Sequence, residues 1–301
     1  MNWIILSLLA PLLYTCVVFI DKYVVEHKVK NSRGMPIYGA IAAIIFGTGV
    51  WLICGAPNPG VHNGLLLLLS GFISMQGYAL YFYSLSKSQT SYIIALLQTT
   101  PIFTLLLSLM VLREGLTIVQ FGGFLVFFAA VLGLSIDRVE CKLKLGLPFI
   151  AIMTANLLFA IAAIVIKFTT SIEHNFASIV AYESWGIALG GILLFGVFGR
   201  VRHAFLKSFS SVGKPTLGTM FFNESLFILS KALTFLAVSL GPVALVGMLG
   251  GVQLFYGFIF GALLTIAFPS IFHEDLRRFE LIKNGIFSVV MFVGIWLVSL
   301  T

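Results

Sequence analysis

Charged side chains are what this 301-residue chain has least of. Asp, Glu, Lys and Arg make up 10% of it, against roughly 25% in an ordinary soluble domain. A chain of this length with so few charges cannot cover a water-facing surface, which excludes the soluble globular and disordered classes together. Cysteine is scarce as well. Cys16, Cys54 and Cys141 form no C-x-x-C pair, so neither a disulfide framework nor a zinc site is expected. Acidic residues are outnumbered, 11 against 18 Lys and Arg, giving a net charge of +7. In a soluble protein that balance would suggest nucleic acid. Here the basic residues lie in short loops between apolar runs, with no basic face, so nucleic acid is not an expected partner. The excess reads as attraction to an anionic cytoplasmic leaflet. No phosphate-binding loop and no G-x-S-x-G is present, and His273-Glu274 lacks the second histidine of a zinc-protease helix. No catalytic residue, metal or cofactor is therefore expected, and the chain does not read as an enzyme.

What the sequence has in abundance is long apolar runs. Hydrophobic residues make up 59% of it, and the mean hydropathy is +1.08. A helix needs about 20 mostly apolar residues to cross a bilayer. That length predicts ten spans, near 2–25, 35–55, 62–86, 89–112, 116–136, 145–168, 176–198, 215–239, 241–267 and 280–300. Breaks fall at Asn31 to Gly34, Ala56 to Gly60, Asp137 to Lys144 and His273 to Glu280. The first stretch, Met1 to Leu13, lacks the basic start of a secretory signal and reads as the first span.

The chain also repeats a pattern. Shifted by 152 positions, Tyr81 to Ala95 lies over Leu233 to Gly247; shifted by 145, Tyr14 to Lys22 lies over Phe159 to Lys167. The expectation is an all-α membrane protein of two five-helix repeats, residues 1–140 and 141–301, forming one transmembrane domain. Five spans is an odd number, so the second repeat must be inverted relative to the first, as in many secondary transporters. Loop charges agree. Basic residues follow the odd-numbered spans (Lys28, Lys30, Arg33, Lys87, Arg138, Arg200, Arg202, Lys207 and others), while Arg113 and Lys167 follow even ones. The odd loops are then cytoplasmic and both termini outside.

Pro101, Leu112-Arg113-Glu114-Gly115-Leu116-Thr117 and Gln120-Phe121-Gly122-Gly123 to Gly133 resemble the proline-containing fourth helix, acidic turn and glycine-rich fifth helix of EamA-type members of the drug/metabolite transporter superfamily. The second copy departs from the pattern: Gln253 stands opposite Pro101, and about eight extra residues precede His273. The resemblance implies a ten-helix bundle working by alternating access, with a central cavity lined by spans 1, 3, 4, 6, 8 and 9. Members of the family commonly keep both termini cytoplasmic, the reverse of what the loop charges indicate.

Ionisable groups at membrane depth cost about 2.5–3.5 kcal/mol on insertion scales, so each needs a reason. Glu224, beside Asn223 in span 8, is a candidate receptor for a substrate amine or a carried proton. Lys231, seven residues on and on the same helix face, is a candidate for a carboxylate or phosphate; the bland reading of both is a structural interhelical pair. Glu183 in span 7 is expected to pair with Lys167 at the end of span 6 as a structural or gating contact. Lys167 and its repeat counterpart Lys22 could also be interfacial anchors, with Lys167 carried as a substrate candidate and Lys22 as a gating one. Gln98, Asn156 and Gln253 bring amides to helices expected to line the cavity. Tyr14, Tyr81 and Tyr256 could stack on a ligand or simply pack. Pro101, in mid-span, is a candidate kink that bends during transport.

These residues predict a carrier for a small polar metabolite, an amino acid or similar, coupled to protons or to a substrate gradient and working in export. The alternative is a flippase for a lipid-linked or phosphate-bearing substrate. Membrane lipid is the other expected partner, and the carrier is expected as a monomer or homodimer. A prokaryotic inner membrane is the expected location.

Overall fold

The computed structural model describes residues 2–28, 32–85, 87, 96–113, 115–135, 146–172, 175–267 and 278–299. These are all helix and connection, with no strand among the described residues. The first half holds α1 (Asn2–His27), α2 (Met35–Ile53), α3 (Gly60–Leu85), α4 (Thr100–Leu107, continued as a π-turn over Ser108–Leu112) and α5 (Ile118–Ser135). The second holds α6 (Leu147–Thr170), α7 (Phe176–Val197), α8 (Gly199–Ser211), α9 (Lys214–Leu240), α10 (Val243–Leu249), α11 (Gln253–Ala267) and α12 (Arg278–Ser299). Among the described residues, seven stretches are long and apolar enough to cross a membrane, namely α1, α2, α3, α6, α7, α9 and the combined α10–α11. Thr100–Leu112, Ile118–Gly133 and Gly285–Val298 are shorter apolar helices. The chain is a multi-pass membrane protein. Its division near residue 140, the breaks at 137–144 and 273–277, and the side chain of Lys22 fall outside the described residues.

Helix starts follow local chemistry. Asn175 caps α7 by accepting hydrogen bonds from the Ala177 and Ser178 amides. Prolines stand in the first turns of α2, α6 and α9, where the missing N–H costs nothing. Pro242 likewise precedes α10 as its N-cap.

The bundle is assembled by close crossings. α3 lies along both α6 and α7, α2 along α7, α1 along α9, and α5 along α12. Glycine makes several of these possible. A Cβ on Gly71 would overlap the Glu183 carbonyl oxygen, and one on Gly186 would overlap the Leu68 carbonyl, so α3 and α7 touch backbone to backbone. A Cβ on Gly123 of α5 would lie 2.9 Å from the Gly294 carbonyl, and one on Gly294 of α12 would lie 2.9 Å from the Gly123 carbonyl. Small residues at such contacts are how helices associate where lipid removes the hydrophobic drive.

One element departs from the expected connections. Residues 199–211 form a helix, α8, rather than a plain loop. Its buried residues Ala204, Phe205 and Ser208 recur at helical spacing and pack on the start of α2, where the Tyr38 hydroxyl and the Ser208 hydroxyl hydrogen-bond at 2.9 Å.

Candidate functional site

Helical spacing brings a set of side chains from separate spans onto one central cavity of about 330 Å3, at the small end of the roughly 300–1,000 Å3 of ligand pockets. From α1 come Tyr14, Val17, Val18 and Asp21, spaced i, i+3, i+4, i+7 along one face. From α9 come Glu224, Phe227 and Ile228, again one face. α3 supplies Met75, Tyr78, Tyr81 and Phe82, and α2 supplies Met35, Pro36, Gly39 and Ala43. The floor comes from two broken spans, with Gln98, Thr100 and Pro101 on one side and Gly247, Gly250, Gly251 and Gln253 on the other.

The charged groups of this lining are the two carboxylates. Glu224 lies against Gly39, where an added Cβ would stand 3.1 Å from Oε2. Asn223 Nδ2 donates to Asp21 Oδ1 at 2.8 Å, tying α9 to α1 beside Glu224. Among the described residues the cavity is lined by no lysine or arginine. Its wall is a run of rings in edge or tilted contact. Tyr14 meets Phe227 at 5.7 Å between centroids, Phe227 meets Tyr78 at 5.1 Å, and Tyr78 meets Phe159 at 5.0 Å. Carboxylates among electron-rich ring faces attract a cation.

Both spans at the floor are interrupted within the cavity lining. Leu96 and Leu97 are helical, Gln98 and Thr99 turn, and α4 restarts at Thr100. In the other half α10 ends at Leu249, Gly250–Val252 form a tighter turn, and α11 restarts at Gln253. Asn156 pins the first break, donating to the Leu96 carbonyl at 2.8 Å and to Thr99 Oγ1 at 2.9 Å. Pro101 therefore stands in the first turn of a restarting helix; the expected mid-helix kink is instead a break three residues earlier, which proline accommodates because its N–H is not needed there. A Cβ on Gly251 would stand 3.2 Å from Gln98 Oε1, so the two breaks meet at the floor.

Of the sequence candidates, Glu224, Gln98, Gln253, Tyr14, Tyr81 and Pro101 line the cavity. Asn223 and Asn156 stand behind it, holding Asp21 and the Gln98 turn. Tyr256 packs on Phe255 in the cluster around α5 and α12. The expected Glu183–Lys167 pair is replaced. Lys231 donates to Glu183 in a buried ion pair, Glu183 being 1% exposed and Lys231 8%. Lys167 Nζ instead donates to the Val238 and Gly241 carbonyls at 2.9 and 2.7 Å, a cation at the C-terminal end of α9. Lys231 shares the Glu224 face, but two turns along that face α7 presents a carboxylate that captures it. Asp21 and Tyr78 carry the cavity and were not among the sequence candidates; Asp21 stands seven residues after Tyr14, the same face spacing that drew attention to Lys231.

The fold and this cavity define a multi-pass helical membrane protein with an acidic, aromatic-walled pocket between its halves. Residues 1–136 match the model of the EamA-like transporter family, so the resemblance read from Pro101 to Gly133 holds over that stretch. No curated protein matches the chain. Among 24 matching solved chains is a crystal structure with 15% identity, covering 99% of this chain and 96% of its own, at a TM-score of 0.65. At that identity it shows a shared fold over the whole length and nothing further.

Proposed function

We propose that this chain is a secondary transporter that moves a small polar metabolite through its protonated amine, by alternating access between two inverted five-helix repeats. The observation that carries the reading is the cavity whose charged lining is Asp21 and Glu224 within a wall of aromatic rings. Two carboxylates on one small cavity repel each other when both are charged, and a cation or a proton between them relieves that repulsion. Exchange of an amine for protons at this site is a coupled carrier in its simplest form. An amino acid or an amine derived from one fits, recognised from its nitrogen end. The phosphate-bearing alternative draws on lysines, and among those described Lys231 and Lys167 are engaged elsewhere.

Reciprocal contacts support the ten-span inverted repeat. Gly47 lies against Ser184 as Gly191 lies against Ala40, and Gly123 and Gly294 face each other's carbonyls. α3 packs on α6 as α9 packs on α1. The two breaks, at Gln98 and at Gly250, stand 152 positions apart, the offset of the sequence repeat. Discontinuous helices in corresponding positions at a central site are the usual build of such carriers. Asp21, Tyr81, Phe82, Met35, Pro36 and Glu224 set the cavity toward the ends of α1 and α3 and the starts of α2 and α9, the side that the basic loops would make cytoplasmic. The opposite end is filled by Trp3, Ile166, Phe235, Val238, Val243 and Val246. The arrangement suits a carrier loading from the cytoplasm of a prokaryotic cell for export.

A thermal-shift screen of detergent-purified protein against amines, amino acids, neutral isosteres, sugar phosphates and lipid phosphates tests this. A saturable upward shift from amines that disappears in Glu224→Gln is expected. A shift produced by phosphates and not by amines, or one unchanged in Glu224→Gln, would overturn the reading.

A further inference from the structure

The feature that transport through the cavity leaves unexplained is α8. It joins α7 to α9, two stretches long enough to span, so topology holds it at the membrane surface. Its composition is one-sided in charge. Arg200, Arg202, His203 and Lys207 lie on it, Lys214 follows, and no Asp or Glu occurs between Glu183 and Glu224.

Its faces are sorted. Ala204, Phe205 and Ser208 form the buried face against the protein. On a helical projection Arg200, His203 and Lys207 fall together on one flank, all exposed. Leu206 and Phe209 fall on the other, 49% and 50% exposed, with Arg202 between them. Phe198 and Val197, just before the helix, are 51% and 65% exposed. An apolar flank continuous with the lipid-facing end of α7, beside a basic flank on a stretch of chain that has no Asp or Glu of its own, is the pattern of a helix lying in the headgroup plane. Charge complementarity then selects the occupant of the basic flank, since anionic headgroups are what a bilayer surface offers to arginine and lysine.

The buried face packs on the start of α2, whose Met35, Pro36 and Gly39 line the cavity. Gly34 has no room for a Cβ because the Phe205 backbone is 2.8 Å from where it would stand. Phe205 also meets the Tyr38 ring at 4.9 Å between centroids, and Ser208 bonds the Tyr38 hydroxyl. Tyr38 is the neighbour of Gly39, on which the Glu224 carboxylate rests, and Met35 and Pro36 of the same turn line the cavity.

We infer that α8 is an in-plane helix that binds anionic phospholipid headgroups through Arg200, Arg202 and Lys207, and that lipid bound there fixes the cavity-lining start of α2. The site is physically separate from the cavity, so it stands whether or not the amine reading holds. The test compares wild type with the surface variant R200Q/R202Q/K207Q in detergent, titrating phosphatidylglycerol, phosphatidylcholine and inorganic phosphate while thermal stability is followed. Phosphatidylglycerol is expected to raise the wild-type Tm and to act on the variant with affinity weaker by on the order of 100-fold, while phosphatidylcholine and phosphate leave both unmoved. Y38F, which keeps the basic flank and removes the bond to Ser208, is expected to bind phosphatidylglycerol with unchanged affinity but a smaller Tm shift. Equal phosphatidylglycerol affinity in wild type and triple variant would overturn the assignment, as would a shift reproduced by phosphatidylcholine or by phosphate alone.

Discussion

At the scale of single residues, the Glu183–Lys231 pair and the cavity carboxylates Asp21 and Glu224 do different work. Glu183 and Lys231 satisfy each other away from water, and removing one partner of a buried pair leaves the other uncompensated, at about 3–5 kcal/mol. Lys231→Met and Glu183→Gln are each expected to lower the apparent Tm markedly, while the double variant regains most of the loss; additive losses in a double-mutant cycle would contradict the pairing. Glu224 stands instead on the cavity wall with Gly39 beneath it. Gly39→Val would place carbon atoms where the carboxylate rests, so ligand binding is expected to fall at least ten-fold with folding retained, measured by thermal shift at saturating ligand. Glu224 was legible in the sequence because a carboxylate nine or so residues inside an apolar run has to face something. Its neighbour Asp21 was not, since an acid close to the end of a span reads as an interfacial cap. The partner of Lys231 was not legible either: the choice between Lys167 and Lys231 for Glu183 depends on which turn of α9 meets α7, a contact between helices that spacing along one helix does not reveal.

At the scale of elements, backbone contact decides the architecture. α3 and α7 meet where Gly71 approaches the Glu183 carbonyl and Gly186 approaches Leu68. A methyl group at either position must push two backbones apart, and overpacking of this kind costs typically 1–3 kcal/mol. Gly71→Ala is therefore expected to reduce the yield of folded protein and its thermal stability, whereas Gly49→Ala, with open space around it, is expected to be neutral. Equal effects at the two glycines would show that the crossing is not limited by space. Spans were legible because apolar runs of the right length have few other fates. The breaks at Gln98 and Gly250 were only half legible. Pro101 and the run Gly247 to Gly251 flagged an irregularity, but the turn itself is fixed by Asn156 reaching across from α6, a contact no local pattern announces. α8 was missed because its thirteen residues are too short and too basic to register as a span, while its apolar positions make sense only against Tyr38.

At the scale of the whole molecule, the proposed alternating access rests on paired crossings, α3 on α6 and α9 on α1, of which one tightens as the other loosens. The sequence basis of this proposal is the pair of offsets, 152 and 145 positions, and the reversal of loop charge between residues 1–140 and 141–301. The orientation that follows places the α2–α3 connection outside, and exposed Cys54 tests it. In intact cells expressing a variant with Cys16 and Cys141 replaced, a membrane-impermeant maleimide is expected to label Cys54. Labelling that requires permeabilisation would reverse the topology and with it the assignment of export.

The most direct test of the account is counterflow in proteoliposomes. Vesicles preloaded with an unlabelled amine that gives a saturable thermal shift are diluted into the same amine in labelled form, beside vesicles carrying Glu224→Gln or Asp21→Asn. Transient accumulation in the wild type, and at least ten-fold less of it in both variants at unchanged protein incorporation, is the result expected of a carrier that holds its cargo by a cationic nitrogen between two carboxylates. Undiminished counterflow in both variants, or accumulation of a neutral isostere as large as that of the amine, would contradict it.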